Sequence, residues 1–273
     1  MKLGLINSAW AQAGKGTQYG IDQTKRIGFD TIDIFVDPLD ADRAEIELIK
    51  NSAKRNGLPI KSVCCVAVGL IDFNPSVQRF HVDRVKRYLD ACKQFDADNL
   101  LLVLGEYIWE RQVIPPAEQW KTGVENVRRC GEYARQLGLE IAMELEPFKL
   151  SLVNSVGTML KFIGDVGLPN VLANCDISHL DLVHTPFDEV KRLKGKIAHV
   201  HLSDCNGKVH GDLPPGRGVT PIKDYLRAIR DTGFDRTVSV ELEYSPEPDR
   251  IVEWVEEAYR ETDKIMRELN CRG

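Results

Sequence analysis

The chain has 273 residues, a formal net charge of −5 and a hydrophobic fraction of 43%. The length suits one large domain, and the acidic balance argues against nucleic acid as the main partner. No apolar run approaches the roughly 20 residues of a membrane span, and the apolar run near the N-terminus is too short for a secretion signal. Seven cysteines without disulfide-like spacing predict reduced thiols in a cytoplasmic protein.

Apolar segments of five to seven residues alternate with helical patterns along the whole chain. The predicted strands cover 2–7, 31–35, 60–66, 99–104, 140–144, 171–175, 197–201 and 237–241. After a first helix that ends at residue 27, the predicted helices cover 41–56, 82–95, 118–137, 156–166, 186–193, 221–232 and 248–269. Eight strand–helix units with no linker between them predict an α/β fold, a single (βα)8 TIM barrel domain over residues 1–273.

The main alternative is an open doubly wound sheet, which would need a glycine fingerprint after the first strand. Gly14 and Gly16 are not followed by the third glycine of that fingerprint. The same stretch lacks the first glycine of a phosphate-binding loop. The barrel is therefore the favoured fold.

Four consecutive predicted strands end in a side chain that can bind a metal ion. They end in Glu144, Asp176, His201 and Glu241. Side chains alternate along a strand, so these residues share a face with small or polar neighbours while apolar residues face the helices. Active sites of such barrels lie at the carboxyl ends of the strands. We therefore expect the four side chains to converge at one point above the barrel.

Three carboxylates that lie close together repel one another unless a cation neutralises them. With one imidazole they suit a divalent ion better than they suit a structural zinc site, which prefers Cys and His. Mn2+ is the first expectation, with Co2+, Mg2+, Fe2+ or Zn2+ as alternatives. A carboxylate–histidine hydrogen-bond cluster without a metal stays open as the simpler interpretation.

Five motifs in the second half of the chain occur together. They are Gly138-Leu-Glu-Ile-Ala-Met-Glu144 with Asn154, Asp176-Ile-Ser-His179, His199-Val-His201-Leu-Ser-Asp204, Pro215-Gly-Arg-Gly218 and Val238-Ser-Val-Glu241. Together they resemble the xylose-isomerase-like barrel superfamily, which includes ketose 3-epimerases, inosose isomerases and dehydratases, hydroxypyruvate isomerase and endonuclease IV. The resemblance covers nearly the whole chain.

The resemblance implies that Glu144, Asp176, His201 and Glu241 hold the metal and that the two glutamates form an acid/base pair on opposite faces of the substrate. His179 matches a histidine that contacts a substrate oxygen. A hydroxy-ketone bound to the ion has an acidified α-proton, which a glutamate can remove. We therefore expect a metal-dependent isomerase or epimerase of a small sugar, keto-sugar or cyclic polyol.

Two other functions remain open at this point. Loss of a β-hydroxyl after the same proton abstraction would make the protein a lyase or dehydratase, acting on a keto-inositol or a 3-keto-glycoside. A non-catalytic sugar-binding or partner subunit would keep the barrel without the reaction. Endonuclease IV is disfavoured because its metal cluster needs histidines where the early strands end in Phe35, Val66 and Leu104. A homodimer or homotetramer is expected by analogy with such barrels.

Several further residues are candidates for contact with the substrate. The ketose epimerases continue after the first metal glutamate with an Asn-Arg-containing stretch, whereas this chain has Glu146 and Lys149, which points to a different contact. The other candidates are Glu106 after strand four, Trp10 as an apolar wall after strand one, Asp204 as a contact to His201 or to substrate, and Arg217 in a rigid loop. Asp33 is a weaker candidate at the end of strand two, His199 is expected to be a satisfied interior histidine, and His210 is expected at the surface.

Overall fold

The computed structural model describes residues 1–105 and 112–273 of the chain. Within these residues, eight parallel strands form a closed barrel in which each strand pairs with the next and the last pairs with the first. The strands are β1 (Lys2–Ile6), β2 (Thr31–Ile34), β3 (Ile60–Val66), β4 (Asn99–Val103), β5 (Glu140–Met143), β6 (Val171–Asp176), β7 (Ile197–Leu202) and β8 (Thr237–Val240). The predicted fold class is confirmed.

Helices connect the strands and surround the barrel. They are α1 (Ser8–Gln12), α2 (Thr17–Ile27), α3 (Arg43–Asn56), α4 (Pro75–Phe95), α5 (Pro116–Leu137), α6 (Val156–Val166), α7 (Ile177–Leu182), α8 (Phe187–Val190), α9 (Ile222–Asp231) and α10 (Ile251–Glu268). The prediction started α4 at residue 82, but the helix begins earlier because Asn74 accepts from the backbone N–H of Ser76 and Pro75 is favourable at the first position. None of the helices in the described ranges has the length and apolarity of a membrane span.

The two faces of the barrel strands differ in polarity, as the alternation predicts. Apolar side chains such as Ile141, Val200 and Val240 face outward and form one large buried cluster with the helices. Among the described residues, two small apolar groups lie in the interior, and one of them consists of Ala142, Leu172 and Ala198. Buried polar side chains such as Asp33, Asn174 and His199 occupy other interior positions, under the carboxyl ends of the strands.

Ala198 departs from the predicted pattern. Strict alternation would put it on the helix side with Val200, but it packs in the interior. The register between β6 and β7 shifts at this point, because Ala173 pairs with Ile197 while the next residue, Asn174, pairs with His199. An extra residue in one strand breaks the period of two. Above the shift the alternation resumes and carries the histidines of β7 inward.

Gly4 allows the interior of the barrel to close tightly at β1. A Cβ atom at this position would lie 2.5 Å from the hydroxyl oxygens of both Ser239 and Thr31. These two residues pair with Gly4 from the neighbouring strands β8 and β2. The missing side chain therefore lets two hydroxyls share the space beneath the site.

Candidate active site

Glu144, Asp176, His201 and Glu241 lie around one point at the carboxyl ends of β5 to β8. Nδ1 of His201 is 3.3 Å from Oε2 of Glu241 and 3.8 Å from Oε2 of Glu144. Ligand-type atoms of Asp176, His201 and Glu241 all lie within 4.8 Å of one another. The structure thus brings together the four side chains that the sequence singled out.

Local hydrogen bonds orient two of the carboxylates. Oε1 of Glu144 accepts from the backbone N–H of Leu145 at 3.0 Å, and Oε2 accepts from the side-chain amide of Asn174 at 2.7 Å. Asp176 ends β6 and caps α7, where its Oδ1 accepts from the backbone N–H of His179 at 2.9 Å and from the hydroxyl of Ser178 at 2.8 Å. The start of α7 therefore holds Oδ1 of Asp176, while Oδ2 takes no part in this cap.

Three buried polar atoms of this cluster have no hydrogen-bond partner among the residues that the structure describes. They are Oδ2 of Asp176 and both ring nitrogens of His201. Buried polar atoms are nearly always partnered, so such a group calls for a ligand. Two donor atoms bound to one divalent ion at about 2.0–2.3 Å lie at most about 4.6 Å apart, a limit that both His201–glutamate distances meet. The donor set of three carboxylates and one imidazole therefore fits a divalent cation.

The crowding of carboxylates acts most strongly on Glu241. Burial raises the pKa of Glu241 well above its ordinary value, and the charges of Asp212, Glu243, Asp176 and Glu144 raise it further. A bound cation would relieve this repulsion and favour the ionised carboxylate. The electrostatics of the cluster are thus those of a cation site.

Asp176 and His201 already have the charge states that metal ligands require. Burial acts to raise the pKa of Asp176, but the charge of His179 and hydrogen bonds at the start of α7 bring it down to about 2. Burial lowers the pKa of His201, and the neighbouring His199 lowers it further. An ionised aspartate and a neutral imidazole are the forms that bind a metal.

His179 presents one ring nitrogen to the cavity above the cluster. Its Nδ1 donates to the carbonyl oxygen of Leu145 at 2.6 Å, and Nε2 has no partner in the described part of the chain. Burial acts to lower the pKa of His179, but the carboxylates of Asp176, Glu144 and Glu146 raise it well above its ordinary value. The side chain is therefore suited to donate a hydrogen bond from Nε2 to a substrate oxygen.

A cavity of about 300 Å³ lies beside the cluster and is lined by Glu144 and Glu241. Its polar lining includes Glu144, Glu146, His179, His210, Glu241 and Glu243, and its apolar lining includes Ile6, Phe35, Val66, Val68, Leu101 and Tyr244. This volume lies at the lower end of the range for small-molecule sites. The cavity therefore suits a small, hydroxyl-rich molecule with one less polar face.

His210 belongs to this cavity, although the sequence analysis expected it at the surface. Its ring lies 4.6 Å from that of His179. The loop after β7 folds back on itself, because the backbone of Asp204 pairs with that of Leu213. The linear sequence gives no sign of this pairing, apart from the closely spaced glycines and prolines that follow Asp212.

A family model described as the xylose isomerase-like TIM barrel matches residues 21–268. The chain belongs to this family. Its predicted resemblance is thereby confirmed for most of the chain.

Related proteins of known name are sugar epimerases and inosose isomerases. The chain is 26% identical to D-psicose 3-epimerase of Agrobacterium fabrum over 254 residues, which cover 88% of this chain and 84% of the relative. It is 26% identical to fructoselysine 3-epimerase of Escherichia coli O157:H7, covering 61% and 60% of the two chains. It is 24% identical to inosose isomerase of Bacillus subtilis, covering 65% and 66%. The last two matches thus span about two thirds or less of those relatives.

Solved structures of the family share the fold. A D-psicose 3-epimerase crystallised with D-fructose has a TM-score of 0.84 at 21% identity and covers 97% of this chain and 99% of its own. The IOLI protein with a bound zinc atom has a TM-score of 0.86 at 18% identity, with coverages of 98% and 99%. At identities of 21% and 18%, this likeness shows a shared barrel fold and nothing more.

Trp10 does not form the cavity wall that the sequence analysis expected for it. The indole is 1% exposed in α1 and donates from Nε1 to the hydroxyl of Thr24 at 2.9 Å. It packs against Gly20, where a Cβ atom would come within 2.8 Å of the ring. The short helix that follows β1 turns the side chain outward into the helix layer, which corrects this assignment.

Asp204 organises a loop rather than contacting His201 or the cavity. Its carboxylate accepts from the backbone N–H groups of Cys205, Gly216, Gly218 and Thr220 at 2.9–3.0 Å. Four donors occupy both oxygens, which corrects the sequence-based expectation. A Cβ atom at Gly218 would lie 2.3 Å from Oδ1 of Asp204, so the loop requires glycine there.

Arg217 points away from the cavity, which corrects a third assignment. Its Nε donates to Glu257 at 2.9 Å, and its guanidinium lies 4.5 Å from the ring centre of Trp254 on α10. The loop that Asp204 fixes turns this side chain toward the outer helix. Glu146, in contrast, is 6% exposed and lines the cavity, while Glu106 lies outside the described residues.

Proposed function

We propose that this protein is a divalent-metal-dependent isomerase or epimerase of a small sugar, keto-sugar or cyclic polyol. The observation that carries the proposal is the approach of Glu144 and Glu241 to the same nitrogen, Nδ1 of His201, at 3.8 Å and 3.3 Å, beside one cavity that both glutamates line. The relatives named as sugar epimerases and inosose isomerases support the same reaction class.

Glu144, Asp176, His201 and Glu241 would hold the ion, with Mn2+ the preferred metal and Co2+, Mg2+, Fe2+ or Zn2+ as alternatives. When bound, the ion supplies a Lewis acid that polarises the carbonyl of the substrate. The buried donor atoms without partners and the repulsion at Glu241 support this assignment.

The two glutamates move the protons. They approach from β5 and β8, so one removes the proton α to the carbonyl and the other delivers a proton from its own side. Delivery to the opposite face of the same carbon gives epimerisation, and delivery to the neighbouring carbon gives isomerisation. His179 donates from Nε2 to a substrate oxygen and so orients the sugar between them.

The test combines metal analysis with proton exchange. The protein is loaded with Mn2+, its metal content is measured, and it is incubated in heavy water with a panel of ketoses, inososes and keto-glycosides. We expect one ion per chain and deuterium at the carbon next to a carbonyl in at least one substrate. Absence of both stoichiometric metal and deuterium would refute the proposal, and loss of water or aglycone would identify a lyase.

Matched variants separate the reaction from the fold. Glu144→Gln and Glu241→Gln should abolish deuterium uptake, because each removes a proposed ligand of the ion as well as a proton carrier. Glu140→Gln is the control, because Glu140 lies at the other end of β5, where it pairs with Arg236 at 3.2 Å. It should exchange at the wild-type rate.

A further inference from the structure

The imidazole of His201 lies between two glutamates on one side and Asp33 on the other. Its Nδ1 faces Glu241 and Glu144 at the floor of the cavity. Its closest approach to Asp33, on the opposite side of the ring, is 3.9 Å from Nε2 to Oδ2. Neither nitrogen has a hydrogen-bond partner within the residues described.

Asp33 lies inside the closed barrel and has 0% exposure. Its Oδ1 accepts from the backbone N–H of Ser62 at 3.1 Å, and its Oδ2 is 2.7 Å from Nε2 of His199. Burial of a carboxylate is costly unless neighbouring groups compensate it. The presence of the buried carboxylate of Asp33 therefore indicates that its negative charge has a role in the interior.

Ligand-type atoms of Asp33, His199 and His201 lie within 4.8 Å of one another. One carboxylate oxygen is thus placed between two imidazoles whose ring planes are 83° apart. Histidines that bind metals almost always direct their other ring N–H to a carboxylate, a backbone carbonyl or water. Asp33 is a carboxylate on the Nε2 side of His201, at 3.9 Å, and a small movement of either side chain would bring the two into hydrogen-bond distance.

We infer that Asp33 is a positioning residue for the metal ligand His201: it keeps the ring proton on Nε2 and leaves the lone pair of Nδ1 for the ion. The inference rests on the proposed function, since it concerns the same ion. Asp33 lies on β2, which carries none of the four proposed ligands. A residue of β2 would therefore determine which ring nitrogen of His201, on β7, carries the proton. The competing interpretation is that Asp33 serves only to satisfy His199 and the barrel interior.

The tautomer can be observed directly in the unaltered protein. Nitrogen-15 NMR of histidine-labelled, metal-free protein distinguishes a protonated Nε2 from a protonated Nδ1, and His201→Gln identifies the signal. We expect His201 to carry its proton on Nε2. A proton on Nδ1 would overturn the inference.

Variants give an independent measurement through the affinity for Mn2+, followed by electron paramagnetic resonance. Asp33→Asn should weaken Mn2+ binding by about 10–100-fold, the usual effect of losing such a partner. His199→Gln should keep the wild-type affinity, because Asp33 remains available to His201. Ser62→Ala removes the hydroxyl that donates to Asn99 at 2.8 Å and controls for a general loss of interior polarity.

The outcomes separate this inference from the proposed function. If the wild type binds Mn2+ and exchanges protons while Asp33→Asn binds Mn2+ equally well, the inference is wrong and the function stands. Equal weakening in Asp33→Asn and His199→Gln would support the purely structural role of Asp33. If Asp33→Asn does not fold, the NMR result on the wild type still decides the question.

Discussion

The side-chain amide of Asn174 donates a hydrogen bond of 2.7 Å to Oε2 of Glu144 across the β5–β6 pair. Asn174 lies one alternation below Asp176 and is buried in the barrel interior. It fixes the second oxygen of a carboxylate whose first oxygen accepts from the backbone N–H of Leu145. The polar interior therefore orients the carboxylate of Glu144 from below.

Replacing Asn174 with alanine should reduce both Mn2+ affinity and proton exchange by about 10–100-fold, because Glu144 loses its fixed orientation. Titration with Mn2+ and the exchange assay measure the two effects. Asn170→Ala is the matched control, since Asn170 donates to backbone carbonyls of Gly131 and Leu139 at the opposite end of the barrel. It should lower thermal stability and leave both functional readouts unchanged; wild-type affinity in Asn174→Ala would contradict the prediction.

The metal-free protein should lose stability as the pH rises. The pKa of Glu241 is raised well above its ordinary 4.5, mainly by burial, and burial raises the pKa of Asp212 from 3.8 to about 6. Each group keeps its proton in the folded state where the unfolded chain has lost it. Its stabilising contribution is therefore complete below its ordinary pKa and is lost as the pH rises through the folded value. The lowered pKa of Asp176, about 2 in the folded state, affects the free energy of unfolding only below its ordinary pKa of 3.8.

Thermal unfolding in the presence of a chelator, measured between pH 4.5 and pH 8, checks this dependence. Glu241→Gln should flatten the curve, because it removes one of these contributions. Mn2+ should reverse the trend, since the ion competes with protons for the carboxylates, and at about a hundred times its Kd it adds about 2.7 kcal/mol to the free energy of unfolding. A metal-free protein whose stability rises across this range would refute the prediction.

Gly218→Ala should disturb the loop that Asp204 organises. The new Cβ would lie 2.1 Å from the carbonyl oxygen of Cys205 and 2.3 Å from Asp204, and a clash of this kind costs about 1–3 kcal/mol. Because the same loop brings His210 to the cavity, we expect KM to rise more than kcat falls. Gly164→Ala, in α6 with no atom within 4 Å of the added Cβ, is the control and should leave both constants unchanged. An unaltered KM in Gly218→Ala would show that this loop does not affect substrate binding.

The barrel and the convergence of its strand ends could be predicted because both depend on short periods in the sequence. Strands of alternating polarity in a parallel closed sheet must direct Glu144, Asp176 and His201 to the same end. Ala198 marks the limit of this argument, because a register shift between neighbouring strands leaves no trace in the polarity pattern.

The loops were predicted less well, because long-range hydrogen bonds determine their path. Asp204 and Arg217 stand in motifs of the family and were expected at the cavity, but one caps backbone N–H groups and the other pairs with α10. Trp10 was misplaced because the short helix after β1 has too few residues to show a periodic pattern. His210 was missed for the converse reason, since only the folded loop brings it to His179.

Arg272 should stabilise the closed barrel without affecting the site. Its side chain is 10% exposed and pairs with Asp30 and, at 2.8 Å, with Asp263. Asp30 also accepts from the backbone N–H of Leu3 at 2.9 Å, so the arginine ties the C-terminus to the strands at the end of the barrel opposite the cavity. Charged hydrogen bonds of this kind contribute about 1–3 kcal/mol. Arg272→Ala should therefore lower the free energy of unfolding by about that amount.

Arg267→Ala is the matched control, because Arg267 pairs with the same Asp263 but is 67% exposed. Exposed pairs contribute little, so its loss should cost less than about 1 kcal/mol. Urea unfolding measures both variants, and Mn2+ affinity should remain at the wild-type value in each. Equal destabilisation by the two substitutions would show that the partly buried position of Arg272 confers no added stability, and a change in Mn2+ affinity would show that the two ends of the barrel are coupled.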